Sequence, residues 1–343
     1  MRRICWVVAI AVWVGVPPAS LGWARAPKPL QVYIIDVEGG QATLIVTPSR
    51  QSVLVDTGWP GFDGRDAERI VSAAKRARVK QLDYVVITHY HRDHVGGVVQ
   101  LADKMKIGAF VDHGPNQEDS EDTRENYAAY MKVTARGRRI TLKPDDGLPL
   151  KGVTLRVLTA AGEHLKESLP GAGEANPYCA AEPEPPADET ENARSLGLVV
   201  TYGRFRFLDL GDLTKKKELE IACPNNLLGT VDSFLVTHHG SDQSNAKAMV
   251  WALHPRVAIM DNGAHKGGNL AAWQIVHDSP GLEDLWQLHY AVGGGNVGEA
   301  FIANVEGRPD GNFIRVLATP DGTFTVSNSR NNYEKTYWQH LLL

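Results

Sequence analysis

The sequence has little cysteine and no excess of positive charge. Three of its 343 residues are cysteines, and a chain of this length can bury a core without a disulfide framework or a structural metal. Lysine and arginine number 36 against 40 acidic residues. The first 26 residues hold three arginines and no acid, so the rest carries 33 basic against 40 acidic residues, or −7. A broad basic surface for long nucleic acid is therefore not favoured.

The N-terminus has an apolar run, but a short one. Arg2 and Arg3 precede the apolar residues 4–16, which two prolines and small residues follow. This order is typical of an export signal, and the run is too short to span a bilayer comfortably. We expect cleavage between residues 22 and 26, leaving a periplasmic or extracellular protein with no membrane span. An uncleaved anchor is the alternative.

The expected mature chain, residues 27–343, alternates β-rich runs with amphipathic helical segments and shows no internal repeat. Periodicity is lost over residues 162–192, which are rich in proline, glycine, alanine and acid. Such a composition predicts a loop insertion. Near the C-terminus, "NFIRVLA" and "TFTVSNS" flank the turn "TPDG" and predict a β-hairpin. We therefore expect one α/β domain that carries both features.

Ligand-type side chains are concentrated directly behind one apolar run, in the stretch "VVITHYHRDHVGG". His89 and His91, two residues apart beyond a strand end, can converge on one metal ion. Asp93 and His94 begin a helix expected to reach Met105, and they point at a second position. Imidazole and carboxylate together suit Zn²⁺ and its first-row neighbours. A single histidine is more often a surface or core residue, but four such groups in this order predict a metal centre.

The pattern T-H-x-H-x-D-H-x-G-G resembles the signature of the metallo-β-lactamase superfamily, and further stretches fit that family. Asp56 in "LVDTG" resembles an aspartate that orients the ligands, and Asp212 in "FLDLGDL" resembles one that bridges two metals. "THHGS", with His238 and His239, resembles the motif whose histidine completes the second site. The "GDL" and "HHGS" forms resemble the subgroup that includes the hydrolase domain of the bacterial competence DNA-uptake channel. The resemblance covers residues 31–328 and implies a four-layer αββα sandwich.

Two departures from the family pattern affect the expected site. The subgroup's acidic turn reads "EGGQATL" here, which predicts altered substrate contacts. The family's third-motif histidine is missing, and Glu191 and Asn192 stand in its place. The resemblance then implies a first metal held by His89, His91 and Asp212 together with water or Glu191. Such a metal would be weakly bound and exchangeable, with Mn²⁺ as an alternative to Zn²⁺.

The chemistry that the resemblance implies is hydrolysis assisted by two divalent ions, Zn²⁺ first. A hydroxide held by the metals would attack a phosphorus or carbonyl centre, and the metals would absorb charge developing on the substrate oxygen. We assign His239 to the metal and His238 to the substrate as general acid, with the reverse assignment left open. Asp93 counts as catalytic as well as a ligand. The expected ligands are His89, His91, Asp93, His94, Asp212 and His239. The expected site rim is His113, Glu191, Asn192, His265 and Lys266.

The expected function is that of a secreted binuclear hydrolase acting on a phosphodiester, with a small or anionic ester as substrate. His265 and Lys266 would contact an anionic substrate or face solvent, and His113 would be a ligand or a hydrogen-bonding neighbour. A lactonase or other carboxyl-ester hydrolase on the same fold is one alternative. A secreted protein that binds metal or ligand without turnover is the other.

Removal of the export signal would take away Cys5 and leave Cys179 and Cys223. Neither has the spacing of a zinc knuckle, and neither lies in an apolar run as a core thiol would. An exported protein can keep a disulfide oxidised, and this one would tie the 162–192 insertion to the body. Free thiols are the alternative.

Overall fold

A computed structural model describes residues 27–135, 137–305 and 311–339, which form two large sheets with helices on their outer faces. The predicted export signal, with Cys5, lies outside the described residues. Within these ranges, none of the helices has the length and apolar character needed for a membrane span.

The first sheet contains nine strands of the described chain. They are β1 (Leu30–Ile34), β2 (Thr43–Val46), β3 (Ser52–Val55), β4 (Leu82–Val86), β5 (Ile107–Asp112), β6 (Arg138–Thr141), β16 (Ile314–Ala318), β17 (Phe324–Asn328) and β18 (Glu334–Tyr337). Their order is β18-β17-β16-β1-β2-β3-β4-β5-β6. Strands β3 to β6 run parallel, and the other neighbours are antiparallel.

The second sheet also contains nine strands of the described chain. They are β7 (Gly147–Leu148), β8 (Thr154–Ala160), β9 (Glu163–His164), β10 (Gly197–Tyr202), β11 (Phe205–Asp209), β12 (Ser233–Leu235), β13 (Val257–Met260), β14 (Asp284–His289) and β15 (Ile302–Asn304). The order is β15-β14-β13-β12-β11-β10-β8-β7, with β9 paired to β8. Strands β11 to β15 run parallel.

Helices cover the outer face of each sheet. They are α1 (Arg65–Arg76), α2 (Arg92–Val95), α3 (Val98–Lys104), α4 (Glu121–Thr134), α5 (Lys215–Ala222), α6 (Lys247–Leu253) and α7 (Leu270–His277). The helix expected from His94 to Met105 is two helices, α2 and α3, separated by Gly96 and Gly97. At Gly97 the chain passes so close to Thr57 that a Cβ would collide with the Thr57 carbonyl oxygen, which explains the glycine there.

Three apolar clusters separate the four layers. In β10, Leu198 and Val200 point into the cluster between the sheets, whereas Val199 points into the cluster under α5, α6 and α7. In β1, Val32 faces the central cluster and Tyr33 faces the cluster under α1, α3 and α4. Alternate strand residues therefore serve two layers, as a strand buried on both faces requires. The αββα prediction is confirmed.

Residues 162–192 contain little regular structure, and a disulfide ties them to the second sheet's helical layer. Cys179 and Cys223 are bonded, with Cα atoms 5.8 Å apart, so the predicted pair is present. Glu182 accepts a hydrogen bond from the backbone N–H of Ala248 at the start of α6. The insertion is thus held at several points to α5 and α6.

Candidate metal centre

The ligand-type residues lie where strand ends of the two sheets meet. Residues 88–94 follow β4 of the first sheet, whereas Asp212 follows β11 and His239 follows β12 of the second. The carboxyl ends of parallel strands lie at one edge of a sheet, so these loops converge. Segments far apart in the chain thereby form one centre.

Four of the predicted ligands form a compact buried set, which we call the deep group: Asp93, His94, Asp212 and His239. One ligand atom from each lies within 4.8 Å of the others, and all four residues are buried. His94 Nε2 lies 3.2 Å from Asp212 Oδ2 and 3.3 Å from Asp93 Oδ2. His239 Nε2 lies 3.2 Å from His94 Nε2. This spacing allows one ion to contact all four residues.

The charges of the deep group fit a divalent cation. Burial raises the pKa of Asp212, but the three histidines around it outweigh burial and hold that pKa well below its usual range. Burial lowers the pKa of His94, but the surrounding carboxylates reverse this and raise it well above its usual range. Asp212 Oδ1 is buried without a hydrogen-bond partner. The buried carboxylates need a positive charge, and a metal ion can replace the imidazole protons in supplying it.

The two histidines of the deep group are each backed by a buried carboxylate. Asp56 Oδ2 lies 2.7 Å from His94 Nδ1, and Asp56 also accepts two hydrogen bonds from Thr88. Asp261 Oδ1 lies 3.2 Å from His239 Nδ1, which is within the distance of an ion pair. Neither atom has a hydrogen-bond partner. Each carboxylate turns the ring so that Nε2 faces the group. Asp56 therefore lies where an orienting residue is expected.

Two further ligand candidates, His89 and His91, lie beside the deep group, and we call them the shallow pair. His89 Nε2 and His91 Nδ1 face each other at 3.1 Å. His89 Nε2 is 4.0 Å from Asp212 Oδ2, the oxygen that also faces the deep group. The His91 side chain is 24% exposed, whereas that of His89 is fully buried. Asp212 thus stands between two sets of imidazole nitrogens.

Glu191 stands behind the shallow pair and does not face it. Its carboxylate accepts hydrogen bonds from the backbone N–H groups of Tyr90 and Gln117, at 3.2 and 3.0 Å, and lies 3.0 Å from His113 Nε2. Asn192 is buried next to it, with its side-chain oxygen unpaired. The structure therefore brings Glu191, Asn192 and His113 together behind residues 88–94. Both oxygens of the Glu191 carboxylate have partners among His113 and the two backbone N–H groups.

The turn at His238 and His239 directs both imidazoles toward Asp212. Both residues have positive φ, 56° and 55°, and Gly240 follows at 79°. His238 Nε2 lies 3.3 Å from Asp212 Oδ2, and His238 Nδ1 lies 3.1 Å from Ser244 Oγ. His239 belongs to the deep group and His238 does not. His239 therefore lies among the candidate ligands, and His238 lies beside them.

One cationic side chain reaches the deep group from the 263–268 loop. Lys266 Nζ contacts Asp93 Oδ2 and lies 5.0 Å from the centre of the Trp59 ring. The neighbouring His265 is exposed.

Gln41, in the turn that departs from the family pattern, is buried, and its side-chain amide donates to Asp209 Oδ2 at 2.8 Å. Gln41 therefore contributes a buried hydrogen bond behind the centre.

Several residues of the centre are missing from the sequence prediction. Asp261 follows β13 as Asp56 follows β3, so a strand-end aspartate was its available signal. Ser195 Oγ lies 3.5 Å from His89 Nδ1 and accepts the backbone N–H of Asp212 at 3.2 Å. Glu118 Oε2 lies 3.0 Å from His91 Nε2. Neither Ser195 nor Glu118 has a recognisable sequence signal.

Comparison with known proteins finds one matching family. A family model described as the metallo-beta-lactamase superfamily matches residues 35–174. The chain is similar to this superfamily over that range, which is less than half of its length. It is 25% identical to ComE operon protein 3 of Bacillus subtilis over 254 residues, which is 68% of this chain and 28% of that protein. It is 26% identical to Recombination protein 2 of Haemophilus influenzae over 265 residues, 76% of this chain and 27% of that protein.

The chain spans about a quarter of the length of these two curated relatives. Among solved structures, the metallo-beta-lactamase fold protein YhfI from Bacillus subtilis matches with a TM-score of 0.45 and 14% identity, over 76% of this chain and 96% of that chain.

Proposed function

We propose that this protein is an exported hydrolase that uses two divalent metal ions, Zn²⁺ or Mn²⁺, to cleave a phosphodiester in a small substrate. The observation that carries the proposal is the position of Asp212. One of its oxygens lies 3.2 Å from His94 Nε2 and 4.0 Å from His89 Nε2. A carboxylate between two sets of imidazole nitrogens is suited to bridge two ions.

The deep group would hold one ion, and the shallow pair with Asp212 would hold the other. Bound metal in such a centre supplies an activated water and stabilises negative charge on the substrate. Each ligand histidine presents one nitrogen to the centre because its other nitrogen has a partner, which is Asp56, Asp261, Glu118 or a hydroxyl group. These partners keep the ligands in place before substrate arrives.

His238 is suited to move a proton to the leaving group. Ser244 Oγ lies 3.1 Å from His238 Nδ1, and a hydrogen bond donated by this hydroxyl places the imidazole proton on Nε2. His238 Nε2 points toward Asp212 at 3.3 Å, so its proton lies at the edge of the centre. A donor in this position can protonate the oxygen that departs when the ester bond breaks.

Lys266 supports an anionic substrate, because its ammonium group lies beside Asp93 at the edge of the deep group. A phosphodiester carries one negative charge that such a cation can meet. The formal net charge of −4 for the whole chain argues against long nucleic acid as the preferred substrate. The disulfide between Cys179 and Cys223 supports an oxidising, exported location.

The test is a substrate panel on purified protein whose metal content has been measured. The panel contains bis-p-nitrophenyl phosphate, p-nitrophenyl phosphorylcholine, a lactone and a cephalosporin. We expect hydrolysis of at least one phosphodiester, and its loss in Asp212→Ala. Asp145→Ala, which removes an exposed ion pair with Arg156, is the matched control and should keep wild-type rates. Hydrolysis of the lactone alone would overturn the phosphodiester assignment, and a metal-free protein without turnover would overturn the enzyme.

A further inference from the structure

The shallow pair depends on His91 more than the deep group depends on any one histidine. In the described residues, the deep group gathers four ligand atoms within 4.8 Å, and the shallow pair belongs to no such set. Its nitrogens are His89 Nε2 and His91 Nδ1, with Asp212 shared. With so few ligand atoms, the direction of the His91 ring decides whether an ion can bind.

Glu118 fixes that direction. Its Oε2 lies 3.0 Å from His91 Nε2. An imidazole that donates its Nε2 proton presents the lone pair of Nδ1, and His91 Nδ1 is the atom that faces His89. A carboxylate acceptor also makes the other ring nitrogen a stronger ligand.

Glu118 is itself held by its own loop. Its backbone N–H donates to Asn116 Oδ1 at 3.1 Å, and its carbonyl oxygen accepts from Asn116 Nδ2 and Thr123 Oγ1, each at 3.1 Å. Its carboxylate accepts a further hydrogen bond from the backbone N–H of Glu191 at 2.7 Å. A side chain restrained in this way loses little freedom when it bonds His91.

Glu191 ties this loop to the loop that carries the shallow pair. The Glu191 carboxylate accepts from the backbone N–H of Gln117, the neighbour of Glu118, and from that of Tyr90, the neighbour of His91. Glu191, near the end of the 162–192 insertion, therefore bonds both loops. The separation between Glu118 and His91 is set by these backbone contacts.

We propose that Glu118 is a positioning residue that holds His91 Nδ1 toward the shallow metal position and so determines the affinity for the ion bound there. This inference rests on the proposed function, because it requires that the shallow pair binds metal. It assigns to Glu118 a role that acts through His91 and requires no contact with substrate.

The experiment measures the binding of Zn²⁺ to the full mature chain by competition with a chelator. Glu118→Ala is expected to weaken the looser of two ions about 10-fold to 100-fold, the usual cost of removing the partner of a ligand histidine. The tighter ion should keep its affinity. Glu118→Gln should fall in between, because its amide oxygen still accepts the His91 proton but carries no charge. Glu299→Ala removes a glutamate paired with Arg330 at 3.1 Å and should bind both ions as the wild type does.

A double variant separates positioning from general loosening of the loop. If Glu118 acts through His91, Glu118→Ala should not weaken metal binding further in a protein that already carries His91→Ala. The absorption spectrum of the Co²⁺-loaded protein gives a second readout, and Glu118→Ala should lose the band of the looser ion only.

The outcomes distinguish the inference from the function on which it rests. Unchanged affinity for both ions in Glu118→Ala, or further weakening in the double variant, would overturn the role of Glu118 and leave the metal centre standing. A wild-type protein that binds no divalent ion would overturn the proposed function together with the inference.

Discussion

The deep group and the shallow pair share Asp212 but differ in how their histidines are held. In the deep group, His94 and His239 are fully buried or nearly so, and each lies against a buried carboxylate, Asp56 or Asp261. In the shallow pair, His89 lies against hydroxyl groups. His91 is 24% exposed and lies against Glu118, which is 19% exposed. More ligand atoms and buried partners mean tighter binding, so the two positions should differ in affinity.

The two positions also differ in what a bound ion would connect. The deep group takes Asp93 and His94 from helix α2, which follows β4 of the first sheet, and Asp212 and His239 from the segments that follow β11 and β12 of the second. A metal bound there joins the two halves of the fold and stabilises it by its binding free energy. Both histidines of the shallow pair come from the segment after β4 in the first sheet, so an ion there would reach the second sheet through the shared Asp212 alone. Loss of the shallow ion should therefore affect activity more than folding.

Removal of the shared carboxylate should have the largest effect. Asp212→Ala takes a ligand from both positions, so we expect loss of hydrolysis and a marked fall in bound metal. Metal content by mass spectrometry and turnover of the best panel substrate measure the two effects. Full metal content with unchanged turnover in this variant would contradict the two-ion centre.

A paired comparison of His91→Ala and His239→Ala should separate the two positions. Both variants should lose hydrolysis, because each removes a ligand. His91→Ala should keep the deep ion and most of the thermal stability that metal provides, whereas His239→Ala should lose both. Melting curves with and without chelator measure this. His277→Ala removes an exposed histidine of α7 and should resemble the wild type. Equal loss of thermal stability in the two variants would contradict the proposed difference between the deep and shallow positions.

Substitution of His238 should affect chemistry without emptying either position. His238→Ala is expected to slow turnover by roughly 10² to 10⁴, the usual contribution of a general acid, with metal content nearly intact. Ser244→Ala removes the partner of His238 Nδ1 and should slow turnover less. Loss of metal in His238→Ala would instead make this residue a ligand.

Much of the centre can be read from the sequence because its ligands follow apolar strands in short, dense motifs. Three imidazoles and an aspartate within six residues have few structural explanations other than a metal. The helix expected from His94 to Met105 is broken because Gly97 packs against the Thr57 carbonyl oxygen. That contact joins segments that are far apart in sequence, so helical periodicity gives no sign of it.

The partners of the ligands are harder to predict. Glu118 lies in the acidic stretch "NQEDSED", which has the composition of a solvated loop. A sequence cannot tell whether a carboxylate meets an imidazole, a backbone N–H or water. The same applies to Glu191, a candidate ligand by its sequence position, whose carboxylate is engaged with His113 and two backbone N–H groups. The contacts made by these side chains depend on how the loops pack against each other.

The disulfide should matter least for catalysis and most for the insertion. It closes a loop of 44 residues, for which the chain-entropy model gives about 4 kcal/mol of stabilisation. Replacement of Cys179 and Cys223 by serine should lower the free energy of unfolding in urea by up to that amount. Each single variant should equal the double. Two titratable thiols in freshly exported, denatured protein would contradict the bond.

Diffraction from crystals of the metal-loaded protein, recorded at the absorption edge of zinc, tests the two-position centre most directly. We expect two anomalous peaks on either side of Asp212. One should lie within about 2.2 Å of His94 Nε2 and His239 Nε2, and a weaker one beside His89 Nε2 and His91 Nδ1. A single peak that leaves the shallow pair empty would contradict the two-ion account, and the absence of a peak at the deep group would contradict the metal centre itself.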